Sequence, residues 1–247
     1  MGADSKAILL VADISGFTKF MKLHAISTSH AKQIIVRLLK SLMKASKPPL
    51  KVAELEGDAI FFYALSSKEN MKKTAEKVKA QVIEFFSTFK KELAVLSKMN
   101  VCVCDACARV SDLRLKQVIH EGEIQIEKIA QFEKLFGLDV IVVHRMLKNS
   151  VPSNEYVMMT DPVFKSFVDF YGLNPERRTE AFEGVGNVET LVFYPKGLGE
   201  VIGTTETEEV KPSLGEKLSW ISKIVPRGFV DLLGVGRSKA TFKNLPV

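Results

Sequence analysis

The chain has 247 residues, of which 46% are hydrophobic and 26% charged, and its net charge is +6. The composition is that of a globular protein, and the length suits one large domain or one domain and an appendage. Its longest apolar runs fall far short of the roughly twenty residues that a membrane-spanning helix needs, which excludes an integral helical membrane protein. The first residues, MGADSK, contain no apolar signal segment, and Lys6 stands where a myristoylation motif has Ser or Thr, so we expect a cytoplasmic protein.

The first predicted element is an apolar strand over 7–13 that ends at Asp13 and leads through a Gly-containing turn into a helix over 16–26. A carboxylate at a strand end cannot be buried without a partner. Asp13 therefore either caps the next helix or binds a metal ion. Metal binding would suit the backbone N–H groups of residues 15–18, which would face the phosphates of a nucleotide at the start of that helix.

A second carboxylate, Asp58, favours the metal. Two apolar runs, 50–55 and 59–65, flank Glu56-Gly57-Asp58 and predict a hairpin with a tight turn. If this hairpin pairs beside the first strand, the side chains of Asp13 and Asp58 meet at one edge of a sheet. Two hard oxygen ligands with open positions suit Mg²⁺ that carries a triphosphate.

The remaining pattern predicts helices and hairpins in alternation, which indicates an α+β fold with a largely antiparallel sheet. The predicted elements are helices over 30–46, 68–97 and 138–149, a hairpin over 113–126 that turns at Glu121-Gly122, and late edge strands that include a hairpin through Gly184 to Asn187.

The C-terminal part differs in composition from the body. Residues 197–212 lack periodicity and are predicted to be a linker, and 213–247 form an amphipathic appendage. Seven Lys or Arg residues against Glu216 and Asp231 give residues 211–247 a charge of +5, whereas the body is almost neutral, so no nucleic-acid partner is expected. The appendage could dock on the body, on a second subunit, or peripherally on an anionic membrane.

Three cysteines lie within six residues of one another, at Cys102, Cys104 and Cys107. Three thiolates could hold a tetrahedral Zn²⁺ ion with a fourth ligand from elsewhere. The alternative is that they are reduced thiols that pack as small hydrophobic side chains. A zinc-stapled interaction protein is a hypothesis that depends on this cluster alone.

The motifs DISGFT (13–18) and GDAI (57–60) resemble the metal-binding pair of class III nucleotidyl cyclases, the adenylyl and guanylyl cyclase catalytic domains, and the resemblance covers about residues 7–195. It implies a ferredoxin-like cyclase core over 1–196 and a Mg²⁺ or Mn²⁺ two-ion site at Asp13, Asp58 and the Ile14 carbonyl. Gly16, Phe17 and Thr18 would bind the nucleotide. In this family the site lies between two catalytic domains, which implies a homodimer or a complementary cyclase subunit.

The resemblance also assigns positions in the second half of the site. Glu54 stands at a base-reading position, three residues before the Gly of GDAI. When the segment 134–147 is aligned on Gly137, Arg145 falls where the family has its transition-state arginine, and Lys134 at the second base-reading position. Ile141 replaces the family's Asn, and Val185 replaces a phosphate-binding Lys. His120 matches the His of an HxG pattern and is expected to pack rather than to catalyse.

Two functions follow from this mixture of retained and replaced residues. The first is a divergent nucleotidyl cyclase-like protein that binds a nucleoside triphosphate and a divalent metal and forms cyclic nucleotide slowly or with a partner. The second is a catalytically silent signalling module with the same fold that binds a nucleotide or a partner. Asp13, Asp58 and Arg145 favour an enzyme, because they are the groups that would hold the metal and the developing charge. Lys134, Ile141 and Val185 favour the silent module, because each replaces a residue type that the family uses, and the donors lost at Ile141 and Val185 weaken transition-state stabilisation.

Overall fold

The computed structural model describes residues 5–22, 28–99, 109–195, 198–199, 213–219 and 222. Eight strands are present in this part of the chain: β1 Ser5–Ser15, β2 Lys51–Glu56, β3 Ala59–Leu65, β4 Arg114–Ile129, β5 Phe132–Phe136, β6 Tyr156–Thr160, β7 Glu176–Phe182 and β8 Gly186–Phe193. The helices are α1 Phe17–Lys22, α2 Thr28–Ala45, α3 Met71–Lys98, α4 Leu138–Met146 and α5 Asp161–Phe167, with short 3₁₀ turns at Lys68–Asn70 and Val110–Asp112.

Strand β1 lies in the middle of the sheet and is buried on both faces. Its even-numbered residues from Ile8 to Ile14 belong to one hydrophobic core, which α2, α3 and α5 cover. Its odd-numbered residues from Ala7 to Val11 belong to a second core on the opposite face, which α4 covers. A strand with helices on both faces needs apolar residues at every position, which explains the unbroken run AILLVA.

The strands form one sheet in the order β2-β3-β1-β4-β6-β8-β7, with β5 paired to β4 beyond that path. All pairs are antiparallel except β4 with β6. The predicted α+β class with a largely antiparallel sheet is therefore confirmed. Because β1 lies between β3 and β4, the end of β1 adjoins both the β2–β3 turn and the start of β4.

The predicted hairpin over 113–126 is wrong. The chain passes through Glu121-Gly122 without turning, β4 continues to Ile129, and the turn to β5 lies at residues 130–131. The predicted helix over 138–149 ends earlier, at Met146. Helix α5 was not predicted; it is only seven residues long and begins with Asp161 and Pro162, which are suited to a first helical turn.

Position 122 requires a glycine because the Asp139 carboxylate packs against it, and not because the chain turns there. A Cβ atom at Gly122 would lie 2.1 Å from Cγ of Asp139, in the first turn of α4. Asp139 accepts a hydrogen bond from the Glu123 backbone N–H at 2.6 Å and contacts His120 Nε2 at 2.9 Å. His120 is buried and its Nδ1 contacts the Thr160 hydroxyl at 3.0 Å. The contacts of Asp139 with His120 and Glu123, here called the Asp139 clamp, attach the start of α4 to β4.

We expect Gly122→Ala to destabilise the protein by about 2 to 3 kcal/mol, since the new methyl group must displace Asp139 and break its hydrogen bonds to β4. Urea unfolding followed by circular dichroism measures this loss. Gly199→Ala is the matched control, because no atom lies within 4 Å of a Cβ placed there. Equal stability of the two variants would show that the Asp139 clamp does not hold α4.

The core extends slightly past β8. Leu198 is buried within the α2–α3 side of the core, and its backbone N–H donates to the Tyr194 carbonyl at 3.2 Å. The described residues of the C-terminal appendage, 213–219 and 222, are all exposed. Among the described residues, no helix combines the length and apolar character that a bilayer span requires.

Candidate functional site

Asp13 and Asp58 are brought to the same edge of the sheet by β1 and the β2–β3 turn. Asp13 pairs with Ala59 at the start of β3, and the Ile14 backbone N–H donates to the Asp58 carbonyl at 3.2 Å. This hydrogen bond attaches the turn to the end of β1. The Asp13 side chain is 15% exposed, so it is mostly buried but still accessible from solvent.

Asp58 lies near enough to Asp13 for the two side-chain charges to interact. Burial raises the pKa of Asp58 from 3.8 to about 6, and the negative charge of Asp13 adds to that rise. Two anionic groups that repel each other at a partly buried site are an arrangement that a hard divalent cation would relieve. The donor set therefore fits Mg²⁺ or Mn²⁺.

Lys116 is a member of this site that the sequence interpretation missed. It pairs with Asp13 across the β1–β4 ladder, and its Nζ lies 3.1 Å from Asp13 Oδ2. Its positive charge also partly offsets the rise in the Asp58 pKa. Tyr156 pairs with Lys116 on the other side, and its buried hydroxyl accepts a hydrogen bond from Asn149 at 2.7 Å. Only the register of β1 with β4 could have pointed to Lys116.

Gly16, Phe17 and Thr18 follow Asp13 directly. Gly16 has a φ of +91°, which favours glycine, and its carbonyl accepts from the Phe20 N–H at 2.8 Å at the start of α1. Gly16 and Thr18 are exposed. Residues 16–18 therefore lie at the protein surface, directly after the end of β1 that carries Asp13.

Glu54 and Lys134, the two predicted base-reading residues, form an ion pair. Lys134 Nζ on β5 donates to Glu54 Oε1 on β2 at 2.7 Å, with side chains 46% and 30% exposed respectively. β2 and β5 are not neighbours in the ladder, so the long β4–β5 arm must fold back toward β2 to make this contact. The structure therefore brings together two positions that are 80 residues apart.

The remaining predicted residues lie on helix α4 and in the β7–β8 turn. Arg145 forms an exposed ion pair with Glu183 in the β7–β8 turn, at 3.4 Å. Ile141, in the position of the family's Asn, is 50% exposed. Val185 is partly buried and packs against the core beside α4. His144, on helix α4, contacts Glu56 at 3.3 Å and so links α4 to the end of β2.

The cysteine cluster at Cys102, Cys104 and Cys107 lies outside the described residues. Within the part of the chain that is described, no group of three or more His, Cys, Asp or Glu side chains is arranged to hold a metal ion. Asp13 and Asp58 are a pair, so an ion bound there would need further ligands from the backbone, from water or from the nucleotide itself.

Sequence comparison identifies relatives of this chain. Residues 35–156 match the family model described as "Protein of unknown function (DUF2652)". The chain is also 36% identical over 156 residues to the "Uncharacterized protein Rv2561/Rv2562" of Mycobacterium tuberculosis (strain ATCC 25618 / H37Rv), an alignment that covers 63% of this chain and 71% of the mycobacterial protein. The chain belongs to the family of that protein.

Structural comparison places this family member among the class III cyclase folds. The adenylyl cyclase CyaB from P. aeruginosa superposes with a TM-score of 0.61 at 14% identity, over 78% of this chain and 96% of CyaB. A class III adenylyl cyclase-like ATP-binding protein from Pseudomonas aeruginosa superposes with a TM-score of 0.55 at 16% identity, over 66% of this chain and 35% of that one. The resemblance drawn from DISGFT and GDAI is confirmed at the level of the fold, which the body shares with these proteins.

Proposed function

We propose that this protein binds a nucleoside triphosphate together with Mg²⁺ or Mn²⁺ at Asp13 and Asp58, and that it forms cyclic nucleotide slowly or only with a complementary subunit. The observation that carries the proposal is the pair of partly buried carboxylates at one sheet edge, with the pKa of Asp58 raised to about 6 by burial and by Asp13. Such mutual repulsion is an electrostatic cost that a bound divalent cation removes.

In the proposed reaction the ribose 3′-hydroxyl attacks the α-phosphate and pyrophosphate leaves. A divalent ion, when bound, supplies Lewis-acid activation of that hydroxyl and neutralises phosphate charge. The chain's own contributions are the Asp13 and Asp58 carboxylates and the Ile14 carbonyl, which would hold the ion. The N–H groups of residues 16–18 would face the phosphates, and Arg145 of a second subunit would stabilise the developing charge.

Glu54 and Lys134 favour guanine as the base. Guanine presents two adjacent N–H donors and one carbonyl acceptor, and a carboxylate beside an ammonium group offers the complementary acceptor and donor. The existing 2.7 Å ion pair holds these two groups side by side, so a base that engages both would replace one contact with several. Adenine presents its amino donor beside an acceptor nitrogen, so it lacks the second N–H that the carboxylate would bind.

A second copy of the chain is the proposed partner. Exposed apolar side chains cover the β4–β5 arm and the start of α4, and a monomer rarely leaves such a patch open to water. The patch comprises Ile129, Phe132, Phe136, Leu138 and Ile141. It borders Lys134 and runs along the helix that carries Arg145, so a partner seated there would bring these groups to the other chain's carboxylates.

Phe132→Glu should therefore shift the protein from dimer to monomer, because Phe132 is 62% exposed at the tip of this patch and a charge there opposes apolar contact. Sedimentation velocity across a concentration series measures the change, and we expect the dimer dissociation constant to rise at least about tenfold. Val36→Glu, at an exposed apolar position on α2, is the matched control. A monomeric parent protein, or a dimer indifferent to Phe132→Glu, would contradict this surface assignment.

A catalytically silent, nucleotide-binding module is the second candidate. The observation that favours it is the state of α4, where Ile141 offers no hydrogen-bond donor and Arg145 is engaged by Glu183. The structurally similar class III adenylyl cyclase-like protein of Pseudomonas aeruginosa is described as an ATP-binding protein. Binding without turnover is the outcome that this candidate requires.

The deciding experiment measures binding and turnover separately. Isothermal titration calorimetry with GTP and ATP analogues in Mn²⁺ should give binding that EDTA abolishes and that prefers the guanine nucleotide. Asp13→Asn and Asp58→Asn should each weaken it at least about tenfold. Mass spectrometry of reaction mixtures then detects cyclic nucleotide. Slow product supports the enzyme, binding without product supports the module, and no metal-dependent binding contradicts both.

We also propose that the body folds without the C-terminal appendage of residues 213–247. Every described residue of that appendage is exposed, and within the described part of the chain the last residue of the core is Leu198. A truncation after residue 200 keeps Leu198 and should remain soluble, with a melting temperature within about 3 °C of the full chain. Aggregation, or loss of cooperative melting by calorimetry, would mean that the appendage covers an apolar face of the body.

A further inference from the structure

The Lys116 ammonium group lies beside Asp13, at the position proposed for the metal ion. Its Nζ is 3.1 Å from Asp13 Oδ2, and its side chain is only 19% exposed. The same ammonium group contacts the Leu147 carbonyl at 3.5 Å, just after α4. Two carboxylates and one ammonium group therefore share this edge of the sheet, and the three side chains together carry a charge of −1.

A divalent ion and this ammonium group compete for the same oxygen. If an ion binds Asp13 and Asp58 together, Lys116 must leave Asp13 or remain beside a second positive charge. Both outcomes weaken the binding of the ion alone, since like charges at short range in a partly buried site repel strongly. An anion that arrives with the metal removes the conflict, because it gives the displaced ammonium group a new partner.

We propose that Lys116 is a tethered counter-cation that holds Asp13 in the absence of metal and makes divalent-ion binding depend on a polyphosphate bound at the same time. This inference rests on the proposed metal site. It adds that the metal and the anion bind with positive coupling, and that one side chain of this chain carries that coupling. By linkage, the ion must increase affinity for the anion by the same factor.

Removal of the ammonium group should have opposite effects on the two ligands. Without Lys116, the pair Asp13 and Asp58 has a charge of −2 and no internal competitor, so Mn²⁺ alone should bind at least about tenfold more tightly. Inorganic triphosphate at saturating Mn²⁺ should bind about five- to fiftyfold more weakly, because the displaced ammonium group is no longer there to receive it.

The test uses the full-length protein with Lys116→Met and Lys116→Gln, and Lys116→Arg as the charge-retaining variant. Electron paramagnetic resonance of free Mn²⁺ measures metal affinity without nucleotide, and calorimetry with inorganic triphosphate at saturating Mn²⁺ measures the anion. Lys51→Met is the matched control, since it removes the same charge from β2, where Lys51 lies over the Tyr63 ring. Circular dichroism checks that each variant is folded.

Tighter Mn²⁺ binding in Lys116→Met or Lys116→Gln, with Lys116→Arg and Lys51→Met near the parent, supports the inference. Unchanged Mn²⁺ affinity in both neutral variants overturns it while leaving the metal site intact. Absence of Mn²⁺ binding in the parent and in every variant overturns the inference together with the proposed metal site. The two failures are therefore distinguishable.

Discussion

Ile141→Asn should raise the rate of cyclic-nucleotide formation by about a hundredfold, because one positioned hydrogen-bond donor at a developing charge contributes about a hundred- to a thousandfold. The resemblance to class III cyclases puts Ile141 at the position of the family's Asn. The side chain is 50% exposed on α4, so its replacement removes little buried apolar surface. We expect the change in folding stability to stay within about 0.5 kcal/mol.

Two matched variants separate the new donor from the lost isoleucine. Ile141→Ala removes the apolar group without adding a donor, so it reports any effect of losing the apolar contact at the proposed dimer surface, and its rate should not exceed that of the parent. Ile141→Asn combined with Asp58→Asn should be inactive, because the added donor cannot act without the ion-binding carboxylate. Mass spectrometry of cyclic nucleotide under saturating Mn²⁺ and GTP measures all four proteins. An equal gain in Ile141→Ala, or no gain in Ile141→Asn, would contradict the role assigned to this position.

The positions of Asp13 and Asp58 in the fold were predictable because the local signals around them agree. The apolar run into Asp13 predicts a strand end, and the turn at Gly57 and Asp58 lies between two apolar runs, so each feature could be read within about ten residues. The pairing of β1 with β3 was a conditional expectation, and the register Asp13 to Ala59 satisfies it.

The errors arose where a residue's role depends on a distant neighbour. Gly122 looked like a turn residue, whereas its small size accommodates Asp139, seventeen positions later. Lys116 was not singled out in the sequence, and only the antiparallel register with β1 sets it against Asp13. Likewise, Glu54 and Lys134 were assigned separately, while their ion pair depends on how the β4–β5 arm folds back. Sequence periodicity carries no information about such contacts.

Asp58→Asn should stabilise the metal-free protein at pH 8 while it removes metal binding. In the folded protein the pKa of Asp58 is about 6, above its ordinary value of 3.8, because of burial and the charge of Asp13. The folded state therefore holds the proton more tightly than the unfolded chain, so stability falls as the pH rises from about 4 to about 6. Above pH 6 that loss is complete, and Asn avoids it because it carries no charge.

The size of this gain follows from the interval between the two pKa values. Each pH unit corresponds to about 1.4 kcal/mol, and partial exposure of Asp58 reduces the total, so we expect about 1 to 2 kcal/mol at pH 8. In a domain of this size that is a rise in melting temperature of about 3 to 6 °C. At pH 4 the parent carboxyl is largely protonated, and the two proteins should melt together.

Addition of Mn²⁺ at pH 8 should reverse the order of stability. The ion binds the folded parent, and the resulting stabilisation grows with the logarithm of the ratio of ion concentration to dissociation constant. This stabilisation is about 2.7 kcal/mol when the concentration is a hundred times the dissociation constant. Asp58→Asn should gain almost nothing from the same addition. Differential scanning calorimetry at pH 4 and pH 8, with and without Mn²⁺, measures all of these values. A parent protein more stable than Asp58→Asn in EDTA at pH 8 would mean that the Asp58 carboxylate is already stabilised by its surroundings, and the electrostatic basis of the proposed metal site would then be wrong.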